Sequence, residues 1–562
     1  MNIKFCSYCL FLFLLATACN LDNKPFTSKA VSQQLSSDFC KKNNDIPATG
    51  NPMDIDIPAT VNEIYSGVAP SYFELNGVNV NRGNERHFSE IKELSSLFSH
   101  ARTFHFMNKD YWDDGIGQAN GNDPKTLRKY DPKDIKRLKL LVDINGKPLE
   151  RNEYNEGDKL IYFDQHLEVL VEEDLKPGFY NVYDNYLNQN WIYQKNVSEQ
   201  FNGHLQITLT TVGGNFPKDI EAQYNFPNQW FREEDWGEDI RLSAKAYAML
   251  FARAYAPKEG TYKICEALEI GNEPWGFKAE TYQKIVEGFV EGFKSYYGEA
   301  FLIKLLPAAF QGNHKENDKA ANFERANWKD YFGTRLNTES KCQLAGINIH
   351  NYPNDLSDRP FKGWFKERLI ATPEQNSSAF LYARNAWAWA NKNMPPYARK
   401  IYASEYGWDT RNDCKEKVNA TAVGETAQGI YVTRALLLMS RMGVYRANVF
   451  ELLDDQGQNP CQFAYHSSGF YTLKENKAQA KESVRILRDF IAVFGQLKFQ
   501  YALVESKEFY LYELTDGKKN YLVGWLPENI NNKSMEEVKA ISKMVKYKGR
   551  QFSLSPIPAL VE

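Results

Sequence analysis

The chain has 562 residues and a formal charge of −3, with 68 Lys and Arg against 71 Asp and Glu. Hydrophobic residues at 43% and charged residues at 25% exclude a disordered, collagenous or multi-spanning membrane protein and leave material for a large core. The near-neutral balance argues against nucleic acid as a partner, because phosphate binding needs a basic surface. The 11 Trp, 33 Tyr and 35 Phe exceed ordinary core needs and favour a carbohydrate partner, since sugars dock on aromatic faces.

Lys4, the apolar stretch Leu10–Ala16 and Ala16-Thr17-Ala18-Cys19 read as a secretory signal, since the run is too short to span a bilayer comfortably. Small residues before a Cys resemble the lipobox of bacterial lipoproteins. That resemblance implies a signal peptide over 1–18, lipidation of Cys19 and an extracytoplasmic chain held on a bacterial membrane, at the outer membrane or cell surface. An ordinary cleaved signal is the alternative. Of eight cysteines, five remain beyond Cys19: Cys40, Cys265, Cys342, Cys414 and Cys461. No C-x-x-C pair is among them, so no structural zinc site is expected, and the odd number leaves at least one free thiol. Cys414 and Cys461 are candidates for a disulfide, with two unpaired thiols as the alternative.

Residues 19–68 are polar and read as a tether. From Phe73 onward, apolar strands alternate with amphipathic helices, the pattern of parallel βα units. The expected strands are Phe73–Asn81, Arg102–Met107, Gly178–Tyr183, Ile264–Gly271, Phe301–Ala308, Leu344–His350, Lys400–Ser404 and Tyr445–Leu452. Leu205–Val212 competes for the third place. The expected helices are Phe88–Ser99, Tyr162–Glu173, Ile240–Tyr255, Ala279–Tyr297, a weak one near Asn322–Phe332, Ser378–Lys392, Ala422–Arg441 and Lys477–Phe490. Eight such units close into an α/β (β/α)8 barrel over 69–496, with insertions after strands 2 and 3 at the mouth where such barrels bind ligands. From 497 to 562 short alternating runs and the turn Asp516-Gly517 predict a small β appendage.

Two segments carry chemistry. Glu269-Ile270-Gly271-Asn272-Glu273-Pro274-Trp275 closes strand 4, and Pro274 ends it by offering no ladder donor. Tyr402-Ala403-Ser404-Glu405-Tyr406-Gly407-Trp408 closes strand 7. Both glutamates then overhang the barrel axis and can face one another. Two carboxyls about 5 Å apart serve a double-displacement glycosidase. One attacks the anomeric carbon, and the other protonates the leaving oxygen and later activates water; no cofactor and no metal is needed. Glu269, inside strand 4, is expected to be structural. Asn272 and Glu273 are neighbours and would point to opposite faces of a regular strand, so the strand end must bulge or twist for both to serve one site.

Asn-Glu-Pro ending strand 4 and a Glu ending strand 7 resemble the clan A glycoside hydrolases, which share the (β/α)8 barrel and act with retention. The resemblance implies that Glu273 is the acid/base, Asn272 contacts the sugar 2-hydroxyl and Glu405 is the nucleophile. Asn348-Ile349-His350-Asn351-Tyr352 at strand 6 fits the clan's His and Tyr, the Tyr donating to the nucleophile. Ser467–Tyr471 and the final Pro556–Glu562 look like members with a β-sandwich beside the barrel, such as family 39. Gly271 stands where several members have Trp, and Glu451, Asp454 and Asp455 lie where no Trp ends strand 8. Trp275 and Trp408 follow the glutamates as candidate sugar platforms, packing under loops being the alternative; Trp112, His105, Asn181, Asp454 and Asp455 are weaker site candidates. The expectation is therefore a monomeric, lipid-anchored retaining glycosidase with a poly- or oligosaccharide substrate. A non-catalytic glycan-binding lipoprotein on the same barrel is the alternative, and an adhesion role for the appendage is a third.

Overall fold

Eight parallel strands form the centre of the computed structural model: β1 Asn76–Val80, β2 His100–His105, β3 Leu205–Leu209, β4 Ala267–Ile270, β5 Lys304–Pro307, β6 Ile347–His350, β7 Ile401–Tyr406 and β8 Val444–Val449. The structure describes residues 59–65, 68–105, 107, 138–164, 169–179, 185–209, 236, 239–272, 279–309, 336–352, 354–355, 369–370, 372–374, 383, 386–387, 390–391, 394–410, 422–454 and 467–561. The strands hydrogen-bond in the order β5-β4-β3-β2-β1-β8-β7-β6. The ends meet through a parallel bridge between Leu305 and Leu344, where Ala345 N donates to Leu305 O at 2.8 Å, so the sheet closes as a barrel.

In β1 the apolar Val78 and Val80 join the main hydrophobic core, while Asn79 turns inward to hydrogen-bond across the barrel. Helices cover the outside: α1 Tyr186–Gln200, α2 Ile240–Tyr255, α3 Ala279–Tyr297, α4 Glu425–Arg441 and α5 Glu482–Phe494. Asn185 and Asp239 cap α1 and α2 by accepting from Asn188 N and Leu242 N. The α2–α3 contact is close enough that a Cβ on Gly288 or Gly292 would lie 2.4 Å from the carbonyl oxygen of Arg241 or Lys245.

Beyond α5 an antiparallel sheet runs in the order β9-β10-β11-β12, with β9 Lys498–Glu505, β10 Tyr510–Thr515, β11 Asn520–Trp525 and β12 Ala559–Val561. Gly517, in the β10–β11 turn, has a φ of 87°. Buried Arg434 of α4 fixes this sheet to the barrel. Its guanidinium forks onto Glu374, which also accepts from Trp525 Nε1 at 2.8 Å.

Several elements differ from the sequence expectation. Tyr162–Glu173 is no helix: Lys159–Phe163 pairs antiparallel with Leu170–Asp174. Its Ile161 and Phe163 alternate with less buried neighbours, a period of two that outweighs the helical spacing. Gly178–Phe179 forms only an exposed pairing with Glu153–Tyr154, and the third barrel strand is the wholly buried Leu205–Leu209. The second helix is α1, whose buried side carries Asn188, Asn190 and Gln194. Asn188 Nδ2 donates to Leu141 O and Leu149 O, anchoring the insertion after β2. Lys477–Ala480 is a strand paired with Tyr471–Lys474 through a turn with φ above zero at Glu475 and Asn476, so α5 starts later than expected. Tyr72–Leu75 is a capped helical turn ahead of β1, and Phe88–Ser99 is reduced to the short helix Leu94–Leu97. The helix expected near Asn322–Phe332 lies outside the described residues. Cys265 is a buried free thiol and Cys342 is disulfide-bonded. Cys19, Cys40, and the expected Cys414–Cys461 pair lie outside the described residues.

Candidate active site

A buried arginine organises the C-terminal end of the barrel. Arg102 stands on β2 with its side chain wholly shielded. Its Nε donates to Glu269 Oε2 at 2.8 Å, and its Nη1 donates to Glu405 Oε1 at 2.7 Å and to Asn79 Oδ1 at 2.8 Å. Its Nη2 donates to Asn272 Oδ1 at 2.9 Å. Four strands, β1, β2, β4 and β7, thus converge on one cation. Burial opposes the guanidinium charge, but Glu269 and Glu405 outweigh it and hold its pKa above the ordinary value.

Glu269 is saturated. Besides Arg102 it accepts from Gln206 Nε2 at 3.1 Å, Thr208 Oγ1 at 2.6 Å and Ala309 N at 3.2 Å. A carboxylate so enclosed orients Arg102 and has no lone pair to offer a substrate.

Glu405 differs. Its Oε1 meets Arg102, and its Oε2 accepts from Tyr352 OH at 2.7 Å and lies 3.5 Å from His350 Nδ1. Burial pushes its carboxyl pKa up, but the charges of His350 and Arg102 and the hydrogen bonds from Tyr352 and Arg102 prevail and hold it below the usual range. The group is ionised and still 6% exposed at the barrel mouth. Its inward aim comes from a register shift: Ile349 opposes Ala403, but His350 opposes Glu405, so Ser404 is the extra residue of a bulge. Asn79 Nδ2 donates to Ser404 O at 3.0 Å and stitches the bulge in place.

Strand β4 breaks its alternation too. Gly271 has a φ of 96°, open to glycine and costly for other residues, and the following Asn272 turns inward to Arg102. Glu273 and Trp275 lie outside the described residues.

Among the other expected residues, His350 and Tyr352 are brought to Glu405, their rings edge-on at 6.4 Å. Trp408 is 3% exposed and packs on Tyr431 of α4, which places it under the loops and withholds its face from a ligand. His105 is turned away from the mouth, with Tyr247 OH and Tyr255 OH each 3.1 Å from its ring nitrogens. Asp454 pairs with Lys481 Nζ at 2.7 Å. Trp112, Asn181 and Asp455 lie outside the described residues. Sequence reasoning missed Arg102 and Asn79 and noted Glu451 at the end of strand 8 without giving it a role. The signal for Arg102 was a charge within the strand Ala101-Arg102-Thr103-Phe104, which demands a buried counter-charge. Glu451, buried beside β8, accepts from Asn81 Nδ2. No cluster of three or more His, Cys, Asp or Glu suited to a metal occurs among the described residues.

No protein-family model and no curated protein matches the chain. Similar solved structures include SrfJ from Salmonella typhimurium, at 9% identity over 88% of this chain and 89% of that one, with a TM-score of 0.44. A family 51 α-L-arabinofuranosidase, AbfB from Bifidobacterium longum, is 10% identical over 85% of each chain, with a TM-score of 0.41. An endo-β-1,4-mannanase from Thermotoga petrophila is 10% identical over 87% of this chain and 98% of that one, with a TM-score of 0.38. At such identities and scores these likenesses carry no argument about this chain; the barrel rests on its own strand order and closure.

Proposed function

We propose that the protein is a retaining glycoside hydrolase acting on a poly- or oligosaccharide, with Glu405 as nucleophile and Glu273 as acid/base. The observation that carries this reading is the Glu405 carboxyl at the barrel mouth, gripped by Arg102 and Tyr352. In the first step a Glu405 oxygen attacks the anomeric carbon while the bond to the leaving oxygen breaks and Glu273 gives that oxygen its proton. In the second, Glu273 takes a proton from water, whose oxygen attacks the same carbon and releases Glu405. Arg102 keeps Glu405 ionised for attack, and Tyr352 and His350 fix its second oxygen. Asn272, held by Arg102, is assigned the contact to a sugar hydroxyl.

A polysaccharide panel tests the reading, with the product anomer followed by NMR. Retention of configuration and loss of turnover by several orders of magnitude in Glu405→Gln are expected; inversion, or full activity in that variant, refutes it. We further propose that the enzyme works outside the cytoplasm on a lipid anchor at Cys19. The disulfide at Cys342 supports an oxidising compartment. Labelled palmitate incorporated by the wild type and not by Cys19→Ala is the expected result.

A further inference from the structure

Cys342 is disulfide-bonded. It stands in the short helix Thr338–Gln343, just ahead of β6, so it belongs to the base of the barrel, the end opposite the mouth. Lys294, near the C-terminal end of α3, pairs with Glu339 of that helix at 2.9 Å. Tyr397, four residues before β7, donates its OH to Cys342 O at 2.8 Å. Both contacts hold Cys342 at the base.

Besides the free Cys265, the cysteines beyond Cys19 that could be its partner are Cys40, Cys414 and Cys461. Cys414 and Cys461 follow β7 and β8, and the segments that carry them are rooted at the mouth. Thr410 N donates to Ser467 O at 3.0 Å, Val423 N to Asp409 O at 2.7 Å and Asp454 N to Tyr471 O at 2.9 Å. The six residues of β7, at about 3.3 Å each, set these roots roughly 20 Å from the base. Cys414 is four residues from Thr410, a reach of at most about 14 Å. Cys461 could cover the distance only with all six residues from Ser467 drawn straight. The N-terminal segment, by contrast, meets the base directly. Trp387 Nε1 donates to Ile64 O at 2.8 Å, and Tyr65 OH donates to Ser440 O at 2.6 Å, just ahead of β8. Cys40 precedes Ile64 by 24 residues, ample length to reach Cys342.

We propose that Cys342 is bonded to Cys40, which pins the N-terminal segment to the base of the barrel. Each thiol gives up one proton and one electron as the S–S bond forms. The two electrons and two protons reduce the disulfide of a thiol oxidoreductase to its dithiol. With Cys265 as the odd thiol, Cys414 and Cys461 remain as candidates for a second pair. A consequence follows that rests on the lipid anchor proposed at Cys19. The bond shortens the free tether to the 21 residues from Cys19 to Cys40, a span of roughly 25 Å for a flexible chain, and so turns the mouth away from the membrane.

Peptide mapping of the purified full chain without reductant tests the bond. The tryptic peptide 30–41 is expected to be joined to the one that begins at Cys342, and to separate on reduction. Cys342 joined to Cys414 or Cys461, or found as a free thiol, overturns the proposal. This measurement needs neither activity nor lipid, so its failure is distinct from that of the glycosidase or the anchor reading. The orientation is tested on lipidated protein in vesicles with an acceptor dye in their headgroups. The donor dye is placed at Glu259→Cys, beyond α2 on the base, or at Arg86→Cys, after β1 at the mouth, both exposed positions. Energy transfer is expected to be stronger from the base, and the gap to narrow in Cys40→Ser, which frees a further 19 residues up to Ala59. Equal transfer from both positions, or a gap unchanged by Cys40→Ser, overturns the orientation.

Discussion

Replacing Arg102 by methionine removes the cation on which two buried carboxylates depend. Glu269 would lose the donors at 2.8 and 3.3 Å, and Glu405 the one at 2.7 Å. Glu269 has no route to water, being wholly buried. Breaking such a pair by deleting one partner costs about 3–5 kcal/mol, because the remaining charge stays uncompensated. Replacing both partners by apolar residues of similar volume is often close to neutral. Arg102→Met is therefore expected to lose about 3–5 kcal/mol in urea unfolding, and Arg102→Met/Glu269→Met to lose less than the two single losses summed, the remainder reflecting the donors of Gln206, Thr208 and Ala309 left without Glu269. The double variant isolates the electrostatic role as well. Glu405 there keeps Tyr352 and His350 but lacks its guanidinium, so it holds its proton to higher pH. The acid limb of kcat/KM should move upward in the folded double variant relative to wild type. Additive destabilisation in the double variant, or an unmoved acid limb, would refute the assignment of Arg102 as the shared counter-charge.

Tyr352→Phe deletes one hydrogen bond to an ionised group, worth about 1.5–3 kcal/mol, and should lower kcat/KM roughly 10- to 150-fold while leaving Tm within a few degrees. In wild type the depressed pKa of Glu405 places the acid limb below the ordinary Glu value of about 4.3. The same group contributes stability above its unfolded pKa and loses it as pH falls through the folded one, so unfolding followed against pH should show this loss only in acid. Gly288→Ala puts a methyl 2.4 Å from the carbonyl oxygen of Arg241 and 2.7 Å from Ala244 Cβ. Neither backbone can withdraw alone, so a loss of about 1–3 kcal/mol is expected by thermal denaturation.

The barrel was legible because its strands are short apolar runs between clear helices; α2 and α3 match the expected Ile240–Tyr255 and Ala279–Tyr297 residue for residue. Failures cluster in the insertion after β2. There Asn188 and Gln194 turn inward from α1 to hold the backbone of Leu141, Leu149 and Phe104, which blurs the apolar stripe that marks a covering helix. The antiparallel pair Lys159–Phe163 and Leu170–Asp174 reads as a helix in sequence since its apolar residues satisfy two periods at once. At the site, Glu405, His350 and Tyr352 could be read from their place at strand ends. Arg102 could not be ranked by motif, because its role arises from four strands closing on one point. Two local irregularities, the β7 bulge at Ser404 and the left-handed Gly271, decide which side chains look inward, and neither is marked by spacing alone.

The most direct measurement removes the attacking oxygen and supplies another. In Glu405→Gly, hydrolysis of an activated aryl glycoside should fall by several orders of magnitude, and added azide should restore turnover by taking the vacated position. The account predicts a glycosyl azide whose anomeric configuration is inverted relative to the substrate. Undiminished hydrolysis without azide, or an azide product of retained configuration, would contradict Glu405 as the group that attacks the sugar.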